Sequence, residues 1–116
     1  MNRTKQQTGK KGEELAQKFL EQKGFLLLRK NYRYLKSEID LIMQKDDLLI
    51  FVEVKMRKNA DYGYPEEFVS DEQLERIMDA SEEFMEEVNW NEDVRYDIIS
   101  ILSEGKEILH FEGIER

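Results

Sequence analysis

The stretch Ser37-Glu38-Ile39-Asp40-Leu41-Ile42-Met43-Gln44-Lys45-Asp46-Asp47-Leu48-Leu49-Ile50-Phe51-Val52-Glu53-Val54-Lys55 reads as a β-hairpin. Its predicted strands are Ser37–Gln44 and Leu48–Lys55, with a short turn around Asp46-Asp47. Side chains alternate across a sheet, so Glu38, Asp40 and Ile42 are expected on one face of the first strand. Phe51, Glu53 and Lys55 are expected on one face of the second. A two-residue turn makes paired positions sum to 93, which sets Asp40 opposite Glu53 and Glu38 opposite Lys55; a three-residue turn would shift this register. Leu48 to Val54 is nearly all apolar, as in a strand buried on both faces.

Two carboxylates facing each other inside such a hairpin repel unless a cation lies between them. Hard divalent cations such as Mg²⁺ take oxygen ligands, commonly one or two carboxylates with water and substrate phosphate. Lys55, one step further along the same face, could then stabilise developing negative charge or orient an attacking water. Asp, Glu and Lys in this pattern suit metal-assisted hydrolysis of a phosphodiester. The competing reading is a solvated sheet face, with Glu38 and Lys55 as a cross-strand ion pair.

Outward from the hairpin, a helix is predicted over Thr8–Lys23, stopped by Gly24 as a C-terminal cap. Leu15, Ala16, Phe19 and Leu20 form its apolar stripe, with Glu13 at the edge and Gly12 near the centre. A glycine inside a helix costs about 1 kcal/mol relative to alanine, which close packing on a flat surface offsets. Phe25–Tyr34 is a further strand, and residues 56–69 a loop with Gly63 and the single proline, Pro65. A second helix, Asp71–Val88, places Leu74, Ile77, Met78, Ser81, Phe84, Met85 and Val88 on one face. Ser70 and Gln73 fit a capping box at its start. Its other face is acidic from Asp71 to Glu87, a solvated surface or a docking surface for a protein partner. A last hairpin, Val94–Leu102 and Glu107–Phe111, turns at Ser103–Lys106. Trp90 and His110 stand alone in the sequence and read as a packing and a surface residue. The order αβββαββ predicts helices on an open sheet, in the α/β or α+β class.

Composition narrows the chemistry. The chain of 116 residues is expected to be one domain, with residues 1–8 as a flexible basic N-terminus. It has no cysteine and one histidine, which excludes disulfides, thiolate nucleophiles, zinc ribbons and two-histidine metal sites. Without a secretory signal or an apolar run near the ~20 residues that span a bilayer, a cytoplasmic protein with no membrane partner is expected. Residues 1–36 carry ten basic and three acidic side chains, whereas residues 37–116 carry eight basic and 23 acidic ones. A positive N-terminal third on an acidic body is compatible with nucleic acid as a partner.

Asp40 followed by Glu53-Val54-Lys55 resembles the PD-(D/E)xK nuclease signature. With Gly12-Glu13, Asn31, Arg33, Glu38-Ile-Asp-Leu-Ile42, Phe51-Val-Glu-Val-Lys55, Arg57, Gly63 and Arg95-Tyr-Asp97, the chain resembles the YraN-type family of uncharacterised bacterial proteins over residues 9–102. That family is related to archaeal Holliday junction resolvases. The resemblance implies a restriction-endonuclease-like core, a mixed five-stranded sheet flanked by helices. It implies Mg²⁺ or Mn²⁺ on Asp40 and Glu53, with Glu13 as a further carboxylate ligand, Glu38 as an additional candidate and Lys55 as the catalytic lysine. The family usually has glycine where Ser37 stands and lysine where Gln73 stands.

The expected activity is that of a metal-dependent DNA endonuclease of the resolvase-like type, acting on DNA that is branched in the related enzymes. Phosphate contacts are expected from Lys10, Lys11, Arg29, Lys30, Arg33, Lys36, Arg57 and Lys58, with Tyr32 and Tyr34 available for stacking. A homodimer is expected by analogy with the resolvases. The alternatives are a catalytically inactive nuclease-fold module that binds nucleic acid or protein, and an interaction domain that uses the acidic helix.

Overall fold

The computed structural model describes residues 5–57, 70–102 and 105–114. Its elements are α1 (Lys5–Gln22), β1 (Leu26–Tyr34), β2 (Ser37–Lys45), β3 (Leu48–Arg57), α2 (Asp71–Val88), β4 (Asp93–Leu102) and β5 (Glu107–Phe111). The predicted order holds. The first helix begins at Lys5 rather than Thr8, because Lys5, Gln6 and Gln7 favour helix and carry no stop signal. The third strand runs to Arg57, so Met56 and Arg57 belong to the sheet; Lys58, Gly63 and Pro65 lie outside the described residues.

The strands form one mixed sheet in the order β1-β2-β3-β4-β5, with β3 and β4 parallel and every other pair antiparallel. Parallel neighbours need a crossover, and α2 lies in the connection between them. One layer packs Ala16 and Leu20 of α1 on Leu41, Met43, Ile50, Val52, Ile99 and Ile101. On the opposite face, Ala80 and Phe84 of α2 pack on Ile39, Ile42, Leu49 and Phe51. The central strand β3 feeds both layers, which explains its continuous apolar run. The α1 layer closes tightly at Gly12, where an added Cβ would lie 2.7 Å from Met56 Cγ. Gly12→Leu is therefore expected to destabilise the protein by about 1–3 kcal/mol through overpacking. Urea denaturation measures that loss, and shortening Met56 to alanine in the same chain should recover most of it.

The inward face of α2 differs from the expected one. Leu74, Ala80, Ser81 and Phe84 are buried, whereas Met78 and Val88 are about 40% exposed. The small Ala80 lets the helix settle closely on the sheet and turns Met78 outward. His110 is also not a surface residue: its side chain is only 4% exposed and bonds to Asp97. Trp90 packs beside the α2 layer as expected and donates its indole N–H to the Asp93 carbonyl.

The β2–β3 turn is the two-residue one. Lys45 pairs with Leu48 across Asp46-Asp47, Asp46 takes a left-handed φ of 53°, and the ladder runs to Leu41↔Val52. The register is therefore the one in which positions sum to 93. Beyond Leu41 the strand departs from simple alternation. Ile39 packs in the α2 layer and Leu41 in the α1 layer, although two residues apart on a regular strand share a face. The β1–β2 ladder lacks the Asn31–Asp40 pair but keeps one register from Lys30↔Leu41 to Tyr32↔Ile39, its register shift lying earlier, between Leu27 and Arg29; Asn31 has a left-handed φ of 51°. Ile42, paired with Phe51, keeps to the α2 layer while Asp40 turns toward Glu13 of α1, and the expectation that Ile42 shares a face with Asp40 fails.

Candidate metal centre at the end of the hairpin

The interruption at Asp40 builds the site. Past the last β2–β3 pair, the side chain of Asp40 replaces the backbone acceptor, and the Val54 N–H donates to its Oδ2 at 2.8 Å. The carboxylate is thereby fixed beside α1. Oxygens of Glu13, Glu38 and Asp40 lie within 4.8 Å of one another. Glu13 reaches this point from the first described turns of α1, where Gly12 brings the helix onto the sheet, and it hydrogen-bonds the side chain of Asn31. Asn31 is thus in left-handed backbone where asparagine is tolerated and also a partner of Glu13.

Glu53 follows next on β3 but turns the other way. Its Oε1 accepts from Gln73 Nε2 at 2.8 Å and pairs with Lys55 Nζ at 2.9 Å. Its Oε2 is buried and has no hydrogen-bond partner. Asp40 and Glu53 are thus the next residues beyond the last pair, as the register predicts, and Glu53 is close enough to raise Asp40, but only Asp40 joins Glu13 and Glu38 within 4.8 Å. Lys55 binds Glu53 and Glu38 binds Arg33 at 3.3 Å, so the Glu38–Lys55 ion pair of the competing reading does not form.

The electrostatics follow from this crowding. Burial, more than any neighbour, pushes the Asp40 carboxyl up to about 7, against the opposing Val54 hydrogen bond; Glu13, Glu53 and Glu38 raise it further. Burial also raises Glu13, opposed by the Asn31 hydrogen bond, while Glu38 adds to the rise and Lys30 reduces it. Glu13, Glu38 and Asp40 form a hard oxygen donor set of the kind a divalent cation takes, and Glu53, with its buried, unpartnered Oε2, stands outside that group of three.

The candidate phosphate-binding residues separate into groups. Lys30 is close enough to act on Glu13, Arg33 pairs with Glu38, and Lys36 lines a groove with Glu38, Glu53, Gln73 and Arg76. Arg29 is held toward α2 instead, 3.8 Å from Glu87 and over the Phe84 ring. Tyr32 also bonds Glu87 and packs in the α2 layer. Lys10 and Lys11 are exposed on α1, and Arg57 is half-buried at the end of β3. Arg76 was not anticipated, although its position three residues beyond Gln73 places it on the same turn-to-turn edge of the helix.

Gln73 corrects the capping-box expectation. Its backbone N–H does donate to Ser70 Oγ at 3.0 Å, but its side chain crosses to Glu53 instead of turning back to Ser70. Its spacing of four from Ile77 carries the available signal, because that places Gln73 on the sheet-facing side of the first turn.

Comparison with known proteins agrees with the chain-wide pattern. The model of uncharacterised protein family UPF0102 matches residues 12–101, which include Glu13, Glu38, Asp40, Glu53, Lys55, Gln73 and Asp97. A UPF0102 protein of Cytophaga hutchinsonii is 43% identical over 98 residues, covering 84% of this chain and 87% of the relative. UPF0102 protein FP2501 of Flavobacterium psychrophilum is 40% identical over 106 residues, covering 90% and 89%. A UPF0102 protein of Dictyoglomus turgidum is 42% identical over 106 residues, covering 90% of each chain. The chain belongs to the uncharacterised protein family UPF0102.

Proposed function

We propose that this protein is a metal-dependent DNA endonuclease of the Holliday-junction-resolvase-like type, hydrolysing phosphodiester bonds. The observation that carries this reading is the meeting of Glu13, Glu38 and Asp40 from α1 and β2, beside Glu53 with its buried, unpartnered Oε2. Asp40, Glu53 and Glu13 would hold Mg²⁺ or Mn²⁺, with Glu38 adjacent. Such a cation supplies Lewis-acid polarisation of a phosphoryl oxygen and a water of lowered pKa. Asp40 is fixed for this by the Val54 amide, and Glu13 by Asn31. Lys55, 2.9 Å from Glu53, stands where an ammonium can orient a water or stabilise charge on the reacting phosphate. Lys30, Arg33 and Lys36 surround the carboxylates and are the residues we assign to flanking phosphates. No helix among the described residues is long and apolar enough to cross a membrane.

The test is cleavage of labelled single-stranded, duplex, flap and four-way-junction DNA at low salt with Mg²⁺ or Mn²⁺. Lys55→Ala is expected to lower the cleavage rate by about 10²–10³-fold, the usual cost of losing one stabilising donor. Cutting should also fall steeply with added salt if phosphate contacts dominate binding. Equal cutting by wild type and variant would assign the activity to a contaminant. Metal-independent binding of the same DNAs without cutting would favour a nuclease-fold binding module. Size measurement with and without a four-way junction tests the homodimer, and retention of an unknown protein through Glu82, Glu83, Glu86 and Glu87 would instead favour docking on α2.

A further inference from the structure

The first turn of α2 reaches Glu53, next to the carboxylate cluster. The backbone N–H of Gln73 is committed to the Ser70 cap at 3.0 Å, so the start of the helix does not need its side chain. That side chain instead donates to Glu53 Oε1 at 2.8 Å, the oxygen that Lys55 also contacts at 2.9 Å. Two donors therefore converge on one oxygen, while Oε2 is buried without any partner. A carboxylate satisfied at one oxygen only is held in a single orientation, with the other oxygen available to a ligand. The duplication also has a consequence for Lys55. If the ammonium turns from Glu53 toward a phosphate, Oε1 keeps the Gln73 amide and the carboxylate keeps its orientation.

We infer that Gln73 is a positioning residue for Glu53, fixing Oε1 so that Oε2 is presented to a divalent cation and Lys55 is free to leave. This rests on the cation site proposed above. Outer-shell donors that orient metal-binding carboxylates alter metal affinity by about 10–100-fold when removed. Gln73 is thus the residue through which α2, otherwise a packing element, acts on the site.

The experiment is a calorimetric titration of Mn²⁺ into the full chain at pH 8 without DNA. The proteins are wild type, Gln73→Met, Gln73→Ala and Ser70→Ala, each with its melting temperature. Gln73→Met keeps the length of the side chain and removes the donor; it is expected to raise the Mn²⁺ Kd about tenfold. Gln73→Ala should do the same without apolar bulk beside Glu53. Ser70→Ala removes the helix cap, so it should lower the melting temperature while leaving the Mn²⁺ Kd unchanged. Unaltered Mn²⁺ binding in both Gln73 variants would overturn the inference and leave the cation site standing. Equal weakening by Ser70→Ala would also overturn it, because helix placement rather than the amide would then be responsible. Absence of Mn²⁺ binding by the wild type would overturn the cation site itself and this inference with it.

Discussion

Asp40→Asn is expected to abolish metal-dependent cleavage and, above neutral pH, to make the metal-free protein more stable than the wild type. The two effects have one origin. Burial and the nearby Glu13, Glu53 and Glu38 raise the Asp40 carboxyl to about 7, well above the ordinary carboxylate range. An acid whose pKa is raised on folding contributes full stability below its unfolded value. That contribution is lost as pH rises through the folded one. The window here is about pH 4 to 7, and the loss across it is on the order of 4 kcal/mol. Asparagine keeps an oxygen for the Val54 N–H and has no charge to desolvate, so the variant should lack this decline. Urea denaturation at pH 5 and pH 8 without metal checks it. The wild type should weaken between the two, whereas Asp40→Asn should hold nearly constant.

The same reasoning predicts how cations act. At pH 8 the wild type has an ionised, crowded Asp40, so Mg²⁺ or Mn²⁺ should raise its melting temperature. A ligand at 100 times its Kd contributes about 2.7 kcal/mol. In a domain near 100 residues, that corresponds to a rise of roughly 10–20 °C. Asp40→Asn should show little of this rise. A wild type equally stable at both pH values and indifferent to cations would contradict the electrostatic account of the site. If the proposed site is catalytic, Asp40 is a group that costs stability in the metal-free protein, the usual stability–activity trade.

How much of this was legible in the sequence depended on the range of the contacts. The order αβββαββ followed from periodicity and turn chemistry, both local. The β2–β3 register followed from the two-residue Asp46-Asp47 turn, which puts Asp40 and Glu53 just beyond Leu41↔Val52. The break at Asp40 did not follow, because it depends on the adjacent strand β1 and on Asn31 in left-handed backbone. Gln73 reads as a cap residue in the sequence because the local bond is the visible one, but in the fold its side chain takes the distant bond to Glu53. His110 reads as a surface residue in the sequence because a lone histidine carries no local pattern. The β4–β5 register nevertheless held the signal: Ile99 pairs with His110, which places His110 on the face that Ile99 shares with Asp97.

That face leads to the largest expected loss of stability. Asp97→Asn should destabilise the protein by about 3–5 kcal/mol, the usual result of breaking a buried charged network from one side. The Asp97 side chain is fully buried and accepts from Arg95 Nε at 2.8 Å, Arg95 Nη2 at 2.9 Å and the Gly113 amide at 3.1 Å. His110 Nε2 lies 2.7 Å from it, while Nδ1 lies 2.9 Å from Lys23 Nζ. Through these bonds one carboxylate ties β4 to β5, to the C-terminal segment and, by way of His110, to Lys23 just past the end of α1. Burial alone would raise the Asp97 pKa, but the His110, Arg95 and Gly113 hydrogen bonds and the Arg95 charge together bring it below the ordinary value. A lowered carboxylate contributes stability above its unfolded pKa and loses it as pH falls through the folded one. Acid unfolding below about pH 4 should therefore draw on Asp97, in the direction opposite to Asp40. Asparagine cannot accept from both Arg95 nitrogens and the Gly113 amide at once, and it leaves the guanidinium without its counter-charge. Against a typical total of about 5–15 kcal/mol, the variant should be partly unfolded at 37 °C. Circular dichroism melts of Asp97→Asn beside Asp40→Asn would separate the two carboxylates: the first should melt far lower than wild type at pH 8, the second higher. If Asp97→Asn melted within a few degrees of wild type, the network would be an accessory to the sheet and not one of its main ties.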